Sequence, residues 1–206
     1  MHRSFPLLLI LLCAQVMVGQ QLPALREGDL LFQDLDCGGL CDAIEAVTEG
    51  ANGKDYSHVG IVAKVDGRKV VVEAIGDSVH TTEIDVFTAR GAKITVGRMH
   101  DRRLAERAAA EALRLIGVPY DEAFLPGTDR LYCSELVALA YERANNGTPV
   151  FPAAPMTFKE PSSGAFFPVW VSYYAARGRA IPEGEPGCNP GALSRAPQLR
   201  IVWSSF

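Results

Sequence analysis

Charged residues are sparse in this chain of 206 residues, at 21% of the sequence with a formal net charge of only −4. This slightly acidic balance excludes nucleic acid or an anionic membrane as the main partner, because both need a basic face. Five cysteines are too few for a disulfide scaffold of this size. The 48% of hydrophobic residues exclude a disordered chain, and the length suits one domain with a sizeable core.

Long apolar runs are also absent, apart from one at the N-terminus, so the chain is not a multipass membrane protein. Residues 5–18 are almost unbroken in hydrophobicity, follow His2 and Arg3, and lead to small residues suited to cleavage. A retained membrane anchor needs roughly 17–25 apolar residues, so the shorter run predicts a secretory signal peptide over residues 1–20. We therefore expect an exported protein, periplasmic or secreted, in which residues 21–206 form a single domain without a strong membrane signal.

Cleavage of the signal peptide would leave Cys37, Cys41, Cys133 and Cys188. An even number of cysteines in an oxidising compartment suggests two disulfides. Cys37 and Cys41 are four residues apart, which allows a bridge if the chain turns into a helix there. Cys188 lies in a loop and is either free or paired elsewhere. Each cysteine therefore has a structural interpretation that a catalytic hypothesis must displace.

Apolar spacing alternates between strand and helix along the chain, and this order predicts an α+β domain. Strands are predicted at residues 28–33, 57–65, 68–75 and 93–98. Helices are predicted at residues 39–49, 102–116 and 133–143. The part from Asn145 onward is rich in Pro and Gly but carries aromatic patches, so we expect it to wrap over the core.

Cys133 is the cysteine whose sequence surroundings suggest chemistry. It follows a turn-rich loop and opens the predicted helix that continues as SELVALAYER. The first turn of a helix offers unpaired backbone N–H groups and the positive end of the helix dipole, both of which favour the nucleophilic thiolate. A base must accept the thiol proton, and His58, His80 and His100 are the candidates outside the signal peptide.

The predicted hairpin selects His58 among these histidines. If Asp66-Gly67 forms a two-residue turn, Gly60 faces Glu73, so His58 and Glu73 lie diagonally on one face, about 7–8 Å apart at the backbone. Gly60 would leave space between them, and the carboxylate would orient the imidazole as the third member of a triad. A three-residue turn would send Glu73 to the opposite face. From spacing alone, a structural histidine and an inert cysteine remain open.

Five segments, in chain order, resemble a known family. GDLLF, SHVGIV, VVEA, PYDEAF and LYCSELV resemble the circularly permuted papain-like cysteine hydrolases, the YiiX/YaeF-like (YebB-like) branch of the NlpC-type peptidases and amidases. The resemblance runs from about Glu27 to the C-terminus, and the histidine segment precedes the cysteine segment, as permutation implies. It implies a permuted papain-like α+β fold: an antiparallel sheet packed against helices, with the nucleophile at a helix N-terminus.

The resemblance also implies a role for each site residue. The family nucleophile falls on Cys133, its base on His58 and its acidic third member on Glu73, in agreement with the hairpin argument. Four further residues are implied to bind substrate or shape the pocket: Tyr56, Tyr132, Tyr120 and Asp121. Simple burial of an aromatic edge, or a structural role in a loop, is the alternative for each of the four.

The reaction implied by the resemblance is amide hydrolysis through a thioacyl enzyme, with His58 as base for Cys133. The oxyanion would be held by the backbone N–H of Cys133 and one unidentified donor. We expect no cofactor and no metal, because the three histidines lie 22 and 20 residues apart, unlike zinc ligands.

The expected substrate is a short peptide or a peptidoglycan fragment, by resemblance only, and two other functions stay open. The related lecithin–retinol acyltransferase group moves acyl chains between lipids. Aromatic residues of the C-terminal part could line an acyl channel here: Phe151, Phe158, Phe166, Phe167 and Trp170. The chain could also be a non-catalytic binding module on the same scaffold, although the complete Cys133–His58–Glu73 set argues against that.

Overall fold

The computed structural model describes residues 21–206, except Ala92 and Thr128. The predicted signal peptide, residues 1–20, lies outside this described part. None of the helices in the described part is long and apolar enough to cross a membrane.

A six-stranded antiparallel sheet is the frame of the fold. Its strands are β1 (Leu30–Asp34), β2 (His58–Val65), β3 (Arg68–Ile75), β4 (Ser78–Glu83), β5 (Lys93–Met99) and β8 (Leu199–Ser204). They are arranged in the order β4-β3-β2-β1-β5-β8. Two short strands, β6 (Ala154–Pro155) and β7 (Pro186–Gly187), pair with each other outside this sheet.

Helices cover both faces of the sheet. They are α1 (Gly39–Ala46), α2 (Ile84–Arg90), α3 (Arg102–Arg114), α4 (Cys133–Ala144), α5 (Pro168–Ala176) and α6 (Pro190–Ser194). Residues of β2 and β3 alternate between two cores: Val72 packs with α3 and α4, whereas Val71 packs with Phe87 of α2. The predicted α+β fold with an antiparallel sheet packed against helices is confirmed. The sequence analysis missed β4, α2, β8 and the helices of the C-terminal part.

The hairpin of β2 and β3 has the predicted register. Val65 pairs with Arg68 and Ile61 with Val72, as a two-residue turn requires. The turn residues Asp66-Gly67 have positive φ values of 48° and 83°, a conformation that Asp-Gly adopts readily and that matches the twist of the strands.

Helix α3 brings α4 close to the sheet. It begins at Asp101, whose carboxylate accepts a hydrogen bond of 3.0 Å from the backbone N–H of Leu104. Its buried face consists mostly of small side chains: Ala105, Ala108, Ala109 and Ala112. Small side chains allow a short distance between helix axes, so α4 packs against both α3 and β2.

One disulfide is present in the described part of the chain. Cys37 and Cys41 are bridged at the start of α1, with their Cα atoms 5.3 Å apart, which confirms the bridge that their spacing allowed. Cys133 and Cys188 are free thiols. The expectation of two disulfides is therefore wrong, because Cys133 and Cys188 remain unbridged.

We expect Tyr141→Phe to lower the free energy of unfolding by about 1–3 kcal/mol. The fully buried hydroxyl of Tyr141 donates a 2.8 Å hydrogen bond to the carbonyl of Gly28. This bond joins α4 to the chain that enters β1, and its loss leaves a buried carbonyl without that donor. Urea unfolding measures the change.

The same substitution at Tyr173 provides the control. Its hydroxyl donates to the exposed carbonyl of Glu122, where water can replace the donor, so we expect a change within about 0.5 kcal/mol. Equal losses in the two variants would contradict the argument.

Candidate active site

The predicted base and acid are in direct contact at the start of β2. Nε2 of His58 lies 2.7 Å from Oε2 of Glu73, and the two side chains are 4% and 0% exposed. An ionised carboxylate can only accept, so Nε2 carries the hydrogen and the ring orientation is fixed. The His58 ring also packs against the ring of Phe87, with 5.8 Å between centroids.

The Glu73 carboxylate is surrounded by donors. Its Oε1 atom accepts hydrogen bonds from the hydroxyl of Thr82 and from the guanidinium of Arg90. Burial acts to raise the pKa of Glu73, but the hydrogen bond and charge of His58, together with Thr82 and Arg90, outweigh it and hold that pKa below its usual value. Glu73 is therefore a buried charge with every oxygen satisfied.

Cys133 is the first residue of α4, and its side chain is buried beside the imidazole of His58. The Cys133 thiol acts on the pKa of that ring, and Nδ1 is the ring nitrogen available to it because Nε2 binds Glu73. Burial acts to lower the pKa of His58, but the hydrogen bonds and charges of Cys133 and Glu73 outweigh it and raise this pKa to about 9. The imidazole is therefore protonated at neutral pH and can pair with a thiolate.

His58 and Cys133 lie in the wall of one open cavity of about 340 Å³. Most of the lining is apolar and comes from the end of β1, α1, the loop before α4, and the segment from β6 to α5: Leu35, Leu40, Ile44, Phe124, Phe158 and Trp170. Among the described lining residues there is no Asp, Glu, Lys or Arg. The cavity is thus suited to an apolar group of a substrate.

Two of the four predicted substrate-binding residues line this cavity. Tyr120 and Tyr132 are part of its wall. The Tyr132 hydroxyl accepts a 3.1 Å hydrogen bond from the backbone N–H of Cys188. Of the five aromatic residues suggested for an acyl channel, Phe158 and Trp170 belong to the lining and the other three do not.

Tyr56 and Asp121 do not line the cavity. Tyr56 is 1% exposed in the core, and its hydroxyl donates to Oγ1 of Thr95 at 3.0 Å. The carboxylate of Asp121 accepts hydrogen bonds of 2.8 and 2.7 Å from the backbone N–H groups of Ala123 and Leu125. The structural alternative thus describes both environments: Tyr56 supports the sheet, and Asp121 shapes the loop before α4.

Three residues that contact the His58–Glu73 pair were not predicted from the sequence. Thr82, Phe87 and Arg90 lie on β4 and α2, elements that were not predicted. Gly60 also has a different neighbourhood from the expected one: a Cβ atom there would lie 2.3 Å from Cγ1 of Val71 and 3.2 Å from the Phe87 ring. The missing side chain therefore admits Val71 and α2, and does not leave open space beside His58.

Cys188 is a second thiol in the same cavity. The two neighbours of Cys133 in the chain hold the backbone of Cys188, since the Ser134 hydroxyl donates to the Cys188 carbonyl at 3.0 Å and the Tyr132 hydroxyl accepts from the Cys188 N–H. Burial raises the pKa of the Cys188 thiol to about 12, against the smaller opposing effect of hydrogen bonds to Ser134 and Tyr132. Cys188 therefore stays protonated, and as a thiol it is unreactive.

Comparison with known proteins agrees with this geometry. Residues 24–203 match the family described as permuted papain-like amidase enzymes, YaeF/YiiX, C92 family. The chain is 31% identical over 192 residues to the uncharacterized protein YiiX of Escherichia coli K12, covering 88% of this chain and 89% of that protein. A crystal structure of YiiX from Escherichia coli O157:H7, described as a metalloprotein, aligns with a TM-score of 0.71 at 30% identity. That alignment covers 88% of this chain and 98% of the other.

We expect the raised pKa of His58 to make stability fall at alkaline pH. The folded protein holds the proton more tightly than an unfolded histidine with a pKa of 6.5. The contribution is complete below about pH 6.5, and it is lost as the pH rises through about 9. Between these values the free energy of unfolding should fall by up to about 3 kcal/mol more in the wild type than in His58→Gln. Urea unfolding at pH 6.5 and 9.5 measures this, and equal losses would contradict the proposed protonation.

Proposed function

The chain belongs to the YaeF/YiiX family of permuted papain-like amidases, and from this membership we propose that it is a cysteine amidase with Cys133 as nucleophile, His58 as base and Glu73 as the orienting acid. One observation carries the proposal. Cys133 at the start of α4 and the hydrogen-bonded His58–Glu73 pair meet at the wall of one cavity, and the interaction with Cys133 helps to raise the pKa of His58. This is the arrangement that activates a cysteine for acyl transfer.

The proposed reaction has two steps. The Cys133 thiolate attacks the amide carbonyl, and protonated His58 gives its proton to the leaving nitrogen as the C–N bond breaks and a thioester remains. His58 then takes a proton from water, whose oxygen attacks the thioester carbonyl and releases the acid together with the Cys133 thiolate. Glu73 holds the same ring orientation through both steps and stabilises the imidazolium.

Two donors are available to stabilise the oxyanion. The backbone N–H of Cys133 is at the start of α4, where N–H groups have no partner within the helix, and no side chain of Tyr132 caps that end. Tyr120 lines the same cavity, and its pKa is raised first by burial and then by the charge of Cys133. Its hydroxyl is thus a protonated donor in the same cavity as Cys133, and we assign it the second position.

The lining of the cavity bears on the substrate. A peptidoglycan fragment carries several carboxylates and amines, and apart from His58 and Cys133 themselves no described lining residue has a charge to receive them. A substrate with an apolar group beside the scissile bond fits better. The same lining favours the second candidate function, hydrolysis or transfer of a fatty acyl chain from a lipid by the same Cys133 chemistry.

No step of the proposal uses a metal. The Escherichia coli relative is described as a metalloprotein. In the described part of this chain, however, no group of three or more His, Cys, Asp or Glu side chains is arranged to hold a metal ion. His58 does not offer Nε2, which is bound to Glu73.

Export of the protein is part of the proposal. The disulfide between Cys37 and Cys41 supports it, because such bonds persist in the periplasm or outside the cell and are rare in a reducing cytosol. The pattern of residues 1–20 supports it independently.

We expect iodoacetamide at pH 7 to alkylate Cys133 at least ~100-fold faster than Cys188. Cys133 lies in the same cavity wall as His58, whose pKa is raised to about 9, whereas burial raises the pKa of the Cys188 thiol to about 12. Peptide mass mapping over time measures both rates in one sample, so that Cys188 serves as the internal control.

Two variants complete this test. His58→Ala should slow the alkylation of Cys133, and Cys133→Ala should abolish amide hydrolysis with its unfolding transition retained. Hydrolysis that survives in Cys133→Ala would refute the nucleophile assignment. An unreactive Cys133 in the wild type would favour a non-catalytic binding module.

We expect p-nitroanilides of linear acyl groups to be hydrolysed with kcat/KM that rises with chain length, up to about fourfold for each CH₂ that enters the cavity. Acyl groups of the same lengths that end in a carboxylate are the matched controls and should gain little, because no described lining residue carries a positive charge other than protonated His58. A preference for the carboxylate series would contradict the proposed apolar specificity. Comparison with p-nitrophenyl esters of the same acids separates amide from ester preference.

A further inference from the structure

Helix α2 brings Arg90 to the Glu73 carboxylate, on the side away from His58. The Arg90 guanidinium contacts Oε1 of Glu73 on the side opposite to His58, and the Arg90 side chain is 29% exposed while Glu73 is completely buried. Its Cζ atom also lies 5.3 Å from the centroid of the Phe87 ring. Glu73 is therefore a buried anion held between two cations that come from different elements.

The position of Arg90 is held by the framework of the sheet. The carbonyl of Phe87 accepts a 2.7 Å hydrogen bond from the buried side-chain amide of Gln33 in β1. At the end of α2, a Cβ atom on Gly91 would lie 2.5 Å from Cγ of Gln33, so only glycine permits this close approach. The end of α2 is thus anchored against β1, and Arg90 is directed to Glu73 by packing.

Thr82 provides a second contact of the same kind. It lies on β4, next to β3, and its hydroxyl donates to the same Oε1 atom that Arg90 contacts. A carboxylate that binds at one oxygen only can rotate about its last torsion angle. With Oε2 on His58 and Oε1 on Thr82 and Arg90, that rotation is prevented.

We propose that Arg90 and Thr82 are positioning residues of the active site: they hold the Glu73 carboxylate in the charge state and orientation from which it orients His58. This inference rests on the proposed function and adds residues that act through Glu73 without touching the substrate. A buried carboxylate without them would be easier to protonate, and a protonated Glu73 would no longer stabilise the imidazolium. The thiolate form of Cys133 would then be less populated, because its partner cation would be less stable.

The charged and titratable groups around Glu73 are few in the described part of the chain. His58 comes from β2, Arg90 comes from α2, and Cys133 of α4 lies behind His58. His80 of β4 is the direct cross-strand partner of Glu73, but its Nδ1 atom contacts the carbonyl of Ser78. Because His80 is the ionisable neighbour of Glu73 on β4, His80→Gln serves as a control for its contribution.

The test is the rate at which iodoacetamide alkylates Cys133 between pH 4 and 9, followed by peptide mass mapping. The acid limb is the part of this profile where the alkylation rate falls as the pH is lowered. We expect Arg90→Gln to move the acid limb to higher pH by about one unit or more. At a pH below the acid limbs of both proteins, the variant should therefore be alkylated roughly tenfold more slowly than the wild type. Arg90→Lys should restore part of the shift, because it returns the charge without the planar fork. Thr82→Val should move the limb less, and Thr82→Ser should leave it in place.

Arg98→Gln is the matched control. Arg98 of β5 binds both oxygens of the buried Asp29 at 2.7 Å. In the sheet, β5 is separated from β3, which carries Glu73, by β1 and β2. Loss of this pair should lower stability without any shift of the acid limb. His80→Gln should also leave the limb unchanged.

Two outcomes would overturn the inference: an Arg90→Gln limb that coincides with that of the wild type, or an equal shift in Arg98→Gln. The readout needs no substrate. A wild-type protein that hydrolyses no amide would therefore contradict the proposed function, whereas the alkylation profiles would still decide the role of Arg90 and Thr82.

Discussion

The structure depends on one buried charge, the carboxylate of Glu73. A carboxylate removed from water is expensive unless each oxygen finds a donor, and here the donors come from β2, β4 and α2. The edge of the sheet and the helix that covers it are therefore needed to keep that charge in place. Cys133 and the charged Glu73 together raise the pKa of His58 to about 9 against the effect of burial.

Two layers of the fold meet at His58. On one side, Phe87 and Arg90 of α2 lie against the His58–Glu73 pair. On the other, α3 with its small buried residues allows α4 to bring Cys133 to the imidazole. In the chain, histidine comes 75 residues before cysteine, yet this order has no effect on the contact. His58 begins β2 and Cys133 begins α4, and these two ends meet whichever comes first in the chain. A permuted order of the segments is therefore compatible with the same arrangement of side chains.

Local signals allowed part of this site to be predicted from the sequence. Asp66-Gly67 determines the turn, the turn determines the register, and the register places His58 and Glu73 on one face. No such signal indicated Arg90. In residues 81–90, TTEIDVFTAR, apolar and polar side chains do not alternate regularly and polar residues are frequent, so neither β4 nor α2 was predicted. Tyr56 and Asp121 were predicted from motifs to bind substrate, but neither lines the cavity. A motif places a residue near a site along the chain, but only tertiary packing decides whether its side chain faces the cavity or the core.

The distribution of charge separates the chemistry from the recognition of substrate. The charged groups of Glu73 and Arg90 lie behind the imidazole, within the sheet and on α2, and the described lining of the cavity in front of it has no Asp, Glu, Lys or Arg. The field that stabilises a thiolate is therefore not weakened by a polar substrate pocket. An apolar group that fills the cavity would also displace water from the sulfur, which strengthens the same electrostatic interactions. Under the proposed function, binding of an apolar substrate would therefore strengthen the activation of Cys133, which favours the proposal of an apolar acyl group over a charged one.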